Sequence, residues 1–437
     1  MPMSTALTAR IAEQHAQTLR ALPPQVAGGA RRRAAMEALA AAGLPGTRDE
    51  NWKYANLRPL EQASFTPAGL DSAAHGAGRV PELPARLPGF ARYVFIDGNF
   101  APALSDALAA SAAPLTLLAL ADSEGPASSA ATGADERFAL LNAAFATDGA
   151  AVTVPAGAGA AQLELLFIAS AAGESGASYP RIELSLESGA RLTLIERHVS
   201  AADGASFVTS AVAAELGRGA ALEHYRLQEL GARAILFDTL SATLAARAAY
   251  RLYALGSGAQ AARSTLRVKL AGEHAALMLA AASLGDHQQV QDTYALVEHL
   301  APHAHTEQTF RGIAAGRARV ACNGKIVVAR EARGSESRQS LRGLLAGAQA
   351  EIDVRPQLEI YTDEVRASHG ATAGKLDEQM LFYLLSRGLD RDSAQRALKW
   401  AFLGDVFAQI GAPQLRRQIE TGLAARLQDA AALQELL

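Results

Sequence analysis

The 437-residue sequence has only one cysteine, Cys322. A single thiol excludes an internal disulfide framework, and it excludes any cluster or zinc site that needs several cysteines from the same chain. The scarcity of cysteine fits a reducing compartment, so we expect a cytoplasmic protein. Cys322 lies in the alternating run RVACNGKIVV. In such a run we expect it to be buried as a small apolar side chain.

The sequence also lacks a charge excess and a long apolar run. Its net charge of -3 provides no overall basic field for nucleic acid or anionic lipid, so we expect neither as a partner. The most apolar short run, APLTLLALA at 113–121, is far shorter than the about 18 residues that a membrane-spanning helix needs. The stretch MPMSTALTARIAEQH has no apolar segment of the kind found in signal peptides.

Common catalytic motifs are missing as well. The stretch GATAGK at 370–375 resembles a phosphate-binding loop, but that motif would need glycine at His369 and serine or threonine at Leu376. Gly157 and Gly159 lack the third glycine of a dinucleotide-binding fingerprint. No G-x-S-x-G nucleophile elbow occurs. The sequence therefore predicts neither a nucleotide-binding protein nor a covalent enzyme.

Changes in residue pattern divide the chain into a helical region with a linker (1–90), a β core (91–374) and a C-terminal helical domain (375–437). In the first part, TARIAEQHAQTLRAL and ARRRAAMEALAAAG are typical of helices, and Gly43 follows the second as a C-cap. Trp52 is interpreted as a packing anchor, which is a commoner role for a tryptophan than ligand binding.

The C-terminal part returns to helical spacing. Asp377 is the expected N-cap of its first helix, Gly388 the expected end, and Asp390 or Asp392 the start of the next helix. One face of that next helix is broadly apolar, and this face is either packed internally or docked on another subunit. Its apolar residues are Ala397, Leu398, Trp400, Ala401 and Phe402.

Between about positions 160 and 362 the pattern has a period of two, which is typical of β-strands. In RIELSLESGARLTLIER one strand ends, the chain turns around Gly189, and another strand begins. The same pattern of strand, turn and strand recurs at intervals near 30 residues, for example at Gly219, Gly272 and Gly316. A repeat of this length indicates units that bury their apolar faces by stacking, as in a β-solenoid or a long sandwich.

One group of residues suggests a metal site. In APHAHTEQTF, a strand would place His303, His305 and Glu307 on one face, and two histidines with a carboxylate can bind iron. A stand-alone metal-dependent β-fold enzyme is therefore the alternative function. The spacing fits a cupin-type site poorly, because Thr309 and Phe310 stand where such a site has its carboxylate.

A second candidate is His369, which is surrounded by Ser, Gly, Ala and Thr. One interpretation is a structural histidine in a turn between the β core and the helices. The other is an accessible imidazole, because small neighbours leave the ring uncovered and Asp363 and Glu364 lie just upstream.

Three blocks of sequence carry a resemblance to a known family. The longest, PQLEIYTDEVRASHGATAGKLDEQMLFYLLSRGL, contains His369, and two further blocks are CNGKIVV at 322–328 and ENWKYANL at 50–57. On these blocks the chain resembles the SufD family, whose members are subunits of the SUF iron–sulfur cluster assembly complex. The resemblance spans positions 50 to 404.

The resemblance implies a right-handed parallel β-helix core between helical terminal regions. It implies two partners, the homologous subunit SufB and the ABC-type ATPase SufC, with SufC docked on the C-terminal helices. It also implies that the chain has no catalytic activity of its own, and that the isolated chain can form a homodimer.

The resemblance implies a role for His369 at the interface with SufB, where a transient iron–sulfur cluster forms together with a cysteine of SufB. The isolated chain is expected to hold no metal or cofactor, and whether a flavin joins the complex stays open. Ala367 stands where many relatives have cysteine, and Cys322 stands where an aromatic residue is common. His369 alone is therefore expected to serve the cluster from this side.

Overall fold

The structure is a computed structural model that describes residues 4–22, 30–46, 49–67, 83–107, 115–117, 134–170, 175–201 and 204–426. At its centre the chain winds through about seven turns of a parallel β-solenoid, with helices towards both termini. The predicted connections at 71–90 and 122–138 lie largely outside the described residues.

Two sheets form the solenoid, and successive strands alternate between them over residues 211–375. The first sheet contains β1 (Thr66–Pro67), β4 (Leu115–Leu117), β5 (Ala150–Val154), β7 (Ser175–Ser178), β8 (Arg181–Leu186), β10 (Ala205–Val208), β11 (Ala211–Leu216), β13 (Ile235–Leu244), β15 (Ala261–Leu270), β17 (Val290–His299), β19 (Arg319–Val328) and β21 (Glu351–Ile360). The second contains β2 (Ala91–Ile96), β3 (Asn99–Phe100), β6 (Ala161–Ala169), β9 (Arg191–Ser200), β12 (Ala221–Glu229), β14 (Ala249–Ser257), β16 (Ala276–Gly285), β18 (His305–Ala314), β20 (Ser335–Leu345) and β22 (Val365–Lys375).

Strands of successive turns pair in parallel and in register. Along the first sheet Leu244 faces Leu270, and along the second Leu252 faces Leu279. Like side chains therefore stack from turn to turn and bury one continuous apolar column. This arrangement confirms the solenoid and rules out the sandwich. The right-handed sense stays a prediction.

The corners explain why small residues recur in the sequence. At the corner that leads from the first sheet to the second, one residue per turn has a positive φ, and its N–H donates to a carbonyl of the following turn. Glycine adopts this conformation without the steric cost that a Cβ imposes. The residues in this position are Gly189, Gly219, Arg247, His274, His303 and Gly334. Gly316, which the repeat pattern grouped with them, lies at the opposite corner, between β18 and β19.

The N-terminal helices cover the outer face of the first sheet. They are α1 (Ser4–Ala21), α2 (Ala30–Ala42), α3 (Arg58–Gln62) and α4 (Arg137–Phe145). Trp52 is fully buried, stacks on Phe138 with ring centroids 5.4 Å apart, and lies 4.4 Å below the guanidinium carbon of Arg263. These contacts confirm that Trp52 is a packing anchor.

The C-terminal helices are α5 (Glu378–Ser386), α6 (Arg391–Phe407) and α7 (Pro413–Arg426). The predicted caps are confirmed, because the side chain of Asp377 accepts from two N–H groups of α5 and that of Asp390 accepts from the N–H of Ser393. Among the helices in the described ranges, none is long and apolar enough to cross a membrane.

The face of α6 that packs on the second sheet differs in part from the predicted one. Leu403, Val406 and Phe407 are buried in a cluster with Tyr225 and Tyr253, which lie on the outer face of the sheet. The residues singled out in the sequence, from Ala397 to Phe402, are only half-buried or exposed.

Candidate functional site

The last turn of the solenoid, formed by β21 and β22, is called the open end here. In the part of the chain that the structure describes, β21 pairs only with β19 and β22 only with β20. The outer backbone edges of both strands therefore remain without a neighbouring strand. An exposed edge of 10 or 11 residues offers N–H and C=O groups to a strand of another chain.

His369 lies in the middle of β22, on this edge, and its side chain is exposed. The interpretation as a histidine in a turn is therefore wrong. Its neighbours from Ala367 to Gly374 are exposed as well, so no bulky side chain covers the ring. Asp363 and Glu364 precede the strand in an exposed bend. The structure thus shows an accessible imidazole at the open end.

Polar side chains line the interior directly below His369. Its register partner on β20 is Gln339, whose register partner on β18 is Gln308. Gln339 Nε2 donates to Gln308 Oε1 at 2.8 Å and to the carbonyl oxygen of Gly324 at 3.0 Å. Both glutamines are 2% exposed. A Cβ on Gly324 would lie 2.7 Å from Gln308 Oε1, so this close arrangement requires glycine there.

On the outer side of the open end, the three sequence blocks that carry the family resemblance come together. Asn323 Nδ2 donates to Asn51 Oδ1 at 3.5 Å, and Gln357 Nε2 donates to Asn323 Oδ1 at 2.6 Å. Arg355 forms an ion pair with Glu50. The block around 50–57 is therefore held against the last two strands of the first sheet, which fixes the shape of the open end.

A buried ionic network lies several turns deeper in the solenoid. Arg226 donates to both carboxylate oxygens of Glu196 at 2.9 Å and pairs with Asp238 at 2.6 Å. His198 and His224 also contact Glu196, at 2.7 and 3.1 Å. Burial raises the pKa of Glu196, but the charge of Arg226 and the hydrogen bonds outweigh burial and hold that pKa well below its ordinary value. These residues lie on β9, β12 and β13, several turns away from the open end, so we regard the network as structural.

The predicted metal ligands do not form a site. His303 lies at a corner before β18, with a φ of +57, and its ring stacks on that of His274 at 5.0 Å. His305 begins β18 and its Nδ1 lies 3.9 Å from Glu336 Oε2. Within the described ranges, no three or more His, Cys, Asp or Glu side chains form a group that could hold a metal ion. The expectation that His303, His305 and Glu307 share one strand face is wrong, because the corner separates His303 from the strand.

Cys322 is 1% exposed and packs against Phe310, Val320 and Leu341. Burial, together with the charge of Asp292, raises the pKa of its thiol well above the ordinary value. The prediction that Cys322 is a packing residue is confirmed. A buried, protonated thiol is not a ligand for a cluster at the open end.

An exposed apolar patch lies on α5, directly after β22. Met380 and Tyr383 are each 50% exposed and Phe382 is 72% exposed, whereas Leu381 is buried. Large apolar side chains grouped on one short helix are a frequent mark of a protein interaction surface. We call Met380, Phe382 and Tyr383 the α5 patch.

Gln308 and Gln339 were not identified from the sequence. The repeat contains a signal for them, because QTFRG at 308–312 returns as QSLRG at 339–343, 31 residues later. His369 follows Gln339 after 30 residues, so an alignment of the turns places Gln308, Gln339 and His369 in one column. The polar interior was missed because single-strand patterns show which residues alternate, but not which ones stack across turns.

The fold and the site together define a parallel β-solenoid protein whose last turn is open and carries an accessible histidine. Comparison with known proteins agrees: residues 167–402 match the family described as SUF system FeS cluster assembly, SufBD core domain. The chain belongs to this family.

Two relatives match most of the chain. The iron–sulfur cluster assembly protein SufD of Escherichia coli is 29% identical over 395 residues, which cover 90% of this chain and 91% of that protein. An iron–sulfur cluster assembly SufBD family protein of Synechocystis is 29% identical over 414 residues, which cover 91% of this chain and 90% of that protein. The resemblance noted in the sequence is therefore confirmed at the level of the family.

Proposed function

We propose that this chain is a non-catalytic subunit of a cytoplasmic SUF-type complex that assembles iron–sulfur clusters. In this proposal it pairs with a homologous SufB-like subunit through the open end and binds a SufC-like ABC ATPase through its C-terminal helices. The observation that carries the proposal is the position of His369, exposed at the centre of an edge strand whose outer side pairs with no strand of the described ranges.

Pairing at the open end is supported by the backbone. β21 and β22 present two parallel edges side by side, each about as long as the strands within the solenoid. A homologous subunit has a solenoid of similar cross-section, so its own last turn can face both edges at once. Such pairing satisfies backbone groups that otherwise remain in water, and it places His369 inside the interface.

The cluster is the cargo of this complex, and this chain is expected to supply one ligand. An imidazole nitrogen can coordinate iron, as histidine does in clusters of mixed ligation. The only thiol of the chain is buried, and Ala367 offers no ligand atom. The other ligands must therefore come from the partner or from exogenous thiols.

The ATPase is proposed to bind at the α5 patch. This helix follows β22 without a long connection, so a force applied to α5 reaches the open end directly. Closure of an ATPase dimer on binding ATP would then shift the paired subunits and open the interface at His369. Such a rigid-body movement is a common way of coupling nucleotide binding to a distant site.

Two variants of the complete complex test the two surfaces separately. The chain is co-expressed with SufB-like and SufC-like partners and purified through a tag on this chain. Ala371→Arg, which introduces a charge at the open end, is expected to lose the SufB-like subunit and keep the ATPase. Phe382→Ser, which disrupts the α5 patch, is expected to do the reverse. Arg251→Ser, at an exposed site on β14, is the control and should keep both.

Retention of both partners by Ala371→Arg and Phe382→Ser would contradict the assigned surfaces. Failure of the unmodified chain to bind either partner would contradict the proposed function as a whole. The same conclusion would follow if the chain purified alone with one equivalent of tightly bound metal.

A further inference from the structure

The column formed by Gln308 and Gln339 below His369 contains one buried hydrogen-bond acceptor to which no described residue donates. Gln339 Oε1 is buried and has no hydrogen-bond partner among the residues that the structure describes. Leaving such an oxygen without a donor is costly in a protein interior. A donor that reaches this atom would remove that cost.

The orientation of the Gln339 amide is not ambiguous. Its nitrogen lies 3.0 Å from the backbone carbonyl oxygen of Gly324, which can only accept. The atom that faces Gly324 must therefore be the NH₂ group, and the remaining atom of the amide must be the oxygen. The buried atom of Gln339 without a partner is therefore the amide oxygen, which can only accept a hydrogen bond.

His369 is the side chain placed to meet this oxygen. β20 alternates between buried and exposed residues, with Gln339 on the inner face and Arg338 exposed. His369 is the in-register neighbour of Gln339, so both side chains leave their strands on the same face, about 4.8 Å apart. Gln308 and Gln339 already form a side-chain hydrogen bond at this spacing. His369 is the next member of the same ladder.

We propose that Gln339 is a positioning residue for His369, and that its Oε1 accepts a hydrogen bond from one ring nitrogen of the histidine. That bond selects one tautomer, in which the second nitrogen carries a free lone pair and faces away from the solenoid. Histidines that bind metals usually donate their other N–H to an oxygen acceptor in this way. Gly324 and Gln308 hold the acceptor in place. The functional part of this inference rests on the proposed function, whereas the hydrogen bond itself does not.

The tautomer of His369 can be observed in the isolated full-length chain by nitrogen NMR with labelled histidine, at a pH where the ring is neutral. His369 signals are identified by their loss in His369→Ala. The unmodified chain is expected to show one dominant tautomer. Gln339→Met, which keeps the length of the side chain and removes the oxygen, is expected to show a mixture, with the tautomer ratio changed about fivefold.

Two further variants control for a general disturbance. Gly324→Ala places a Cβ 2.7 Å from Gln308 Oε1 and 3.0 Å from Gln339 Nε2, so it should displace the ladder and also give a mixture although Gln339 is present. Ser368→Ala changes the opposite face of β22 and should leave the tautomer ratio unchanged. An even mixture in the unmodified chain, or a ratio that Gln339→Met does not alter, would overturn the proposal.

The consequence for the cluster is measured separately in the complex. Gln339→Met is expected to lower the yield of cluster several-fold at unchanged subunit content, and an unchanged yield would overturn the positioning role. If His369→Ala itself leaves the yield unchanged, the proposed function fails, while the tautomer measurement still decides whether the hydrogen bond exists. The two failures are therefore distinguishable.

Discussion

Replacement of Arg226 by methionine tests the physical account of the solenoid interior. Arg226 is 7% exposed and neutralises Glu196 and Asp238, which are 0% and 3% exposed. Methionine retains much of the apolar stem and removes the guanidinium, so both carboxylates lose their main partner. Removing one member of a buried ion pair costs about 3–5 kcal/mol, because a charge is left without compensation. We expect the free energy of unfolding at pH 7.5 to fall by about this amount.

The loss should depend on pH. In the unmodified chain the pKa of Glu196 lies well below its ordinary value, so its contribution is present above about pH 4.5 and is lost as the pH falls through the folded pKa. Without Arg226, burial raises the pKa of Glu196, and the carboxyl can take up a proton under mildly acidic conditions. The difference between variant and unmodified chain should therefore be largest near pH 7.5 and should shrink towards pH 5.

The assay is urea unfolding followed by far-ultraviolet circular dichroism at pH 7.5 and pH 5. Arg251→Met removes an exposed arginine from the same sheet, and its effect should stay within about 0.5 kcal/mol. The reasoning would be refuted if Arg226→Met were no more destabilising than Arg251→Met. A loss that is equal at both pH values would refute the part that concerns Glu196.

Three further predictions follow from the described residues. Burial lowers the pKa of His299 to about 4, below the ordinary value of about 6.5. The unfolded chain therefore takes up a proton first, and the free energy of unfolding should fall as the pH drops from about 6.5 towards 4. His299→Leu should flatten this part of the stability profile by about 3 kcal/mol. Cys322 should resist a thiol reagent at pH 8 until the chain is unfolded, and rapid labelling of the native chain would show that the thiol is accessible. Gly272→Ala should lower the unfolding midpoint clearly, because a Cβ there would overlap the backbone of the neighbouring corner, whereas Gly370→Ala meets nothing within 4 Å and should leave it unchanged.

Much of the fold could be predicted because a solenoid repeats the same local requirement in every turn. Gly189 and Gly219 mark corners where a positive φ is needed, and the residues on both sides alternate. The series included Gly316 from the opposite corner and missed the corner at His303, where a histidine adopts the same conformation without being glycine. The hydrogen bond from the N–H of each corner residue to the following turn offsets the steric cost of the positive φ. A local sequence pattern does not show this contact.

The position of His369 could not be predicted, for a related reason. Inside the solenoid a strand is recognised by large apolar residues that pack between turns, such as Leu341 on β20. Among the residues that the structure describes, no further turn lies above β22; alanine and glycine occupy the corresponding positions, and the strand resembles a loop in sequence. Recognition of His369 as a candidate came from its accessible neighbours and from the family resemblance. Its pairing with Gln339 required the register.

The central claim is that His369 serves the cluster at an interface between two subunits. The most direct test is anaerobic reconstitution of the purified complex with iron and sulfide, comparing the unmodified chain with His369→Ala and Ser368→Ala. Visible absorbance and acid-labile sulfide are measured per complex, after the subunit content has been determined. The account predicts that His369→Ala keeps both partners and loses most of the cluster, while Ser368→Ala retains it. A full yield of cluster with His369→Ala in an intact complex would contradict the account.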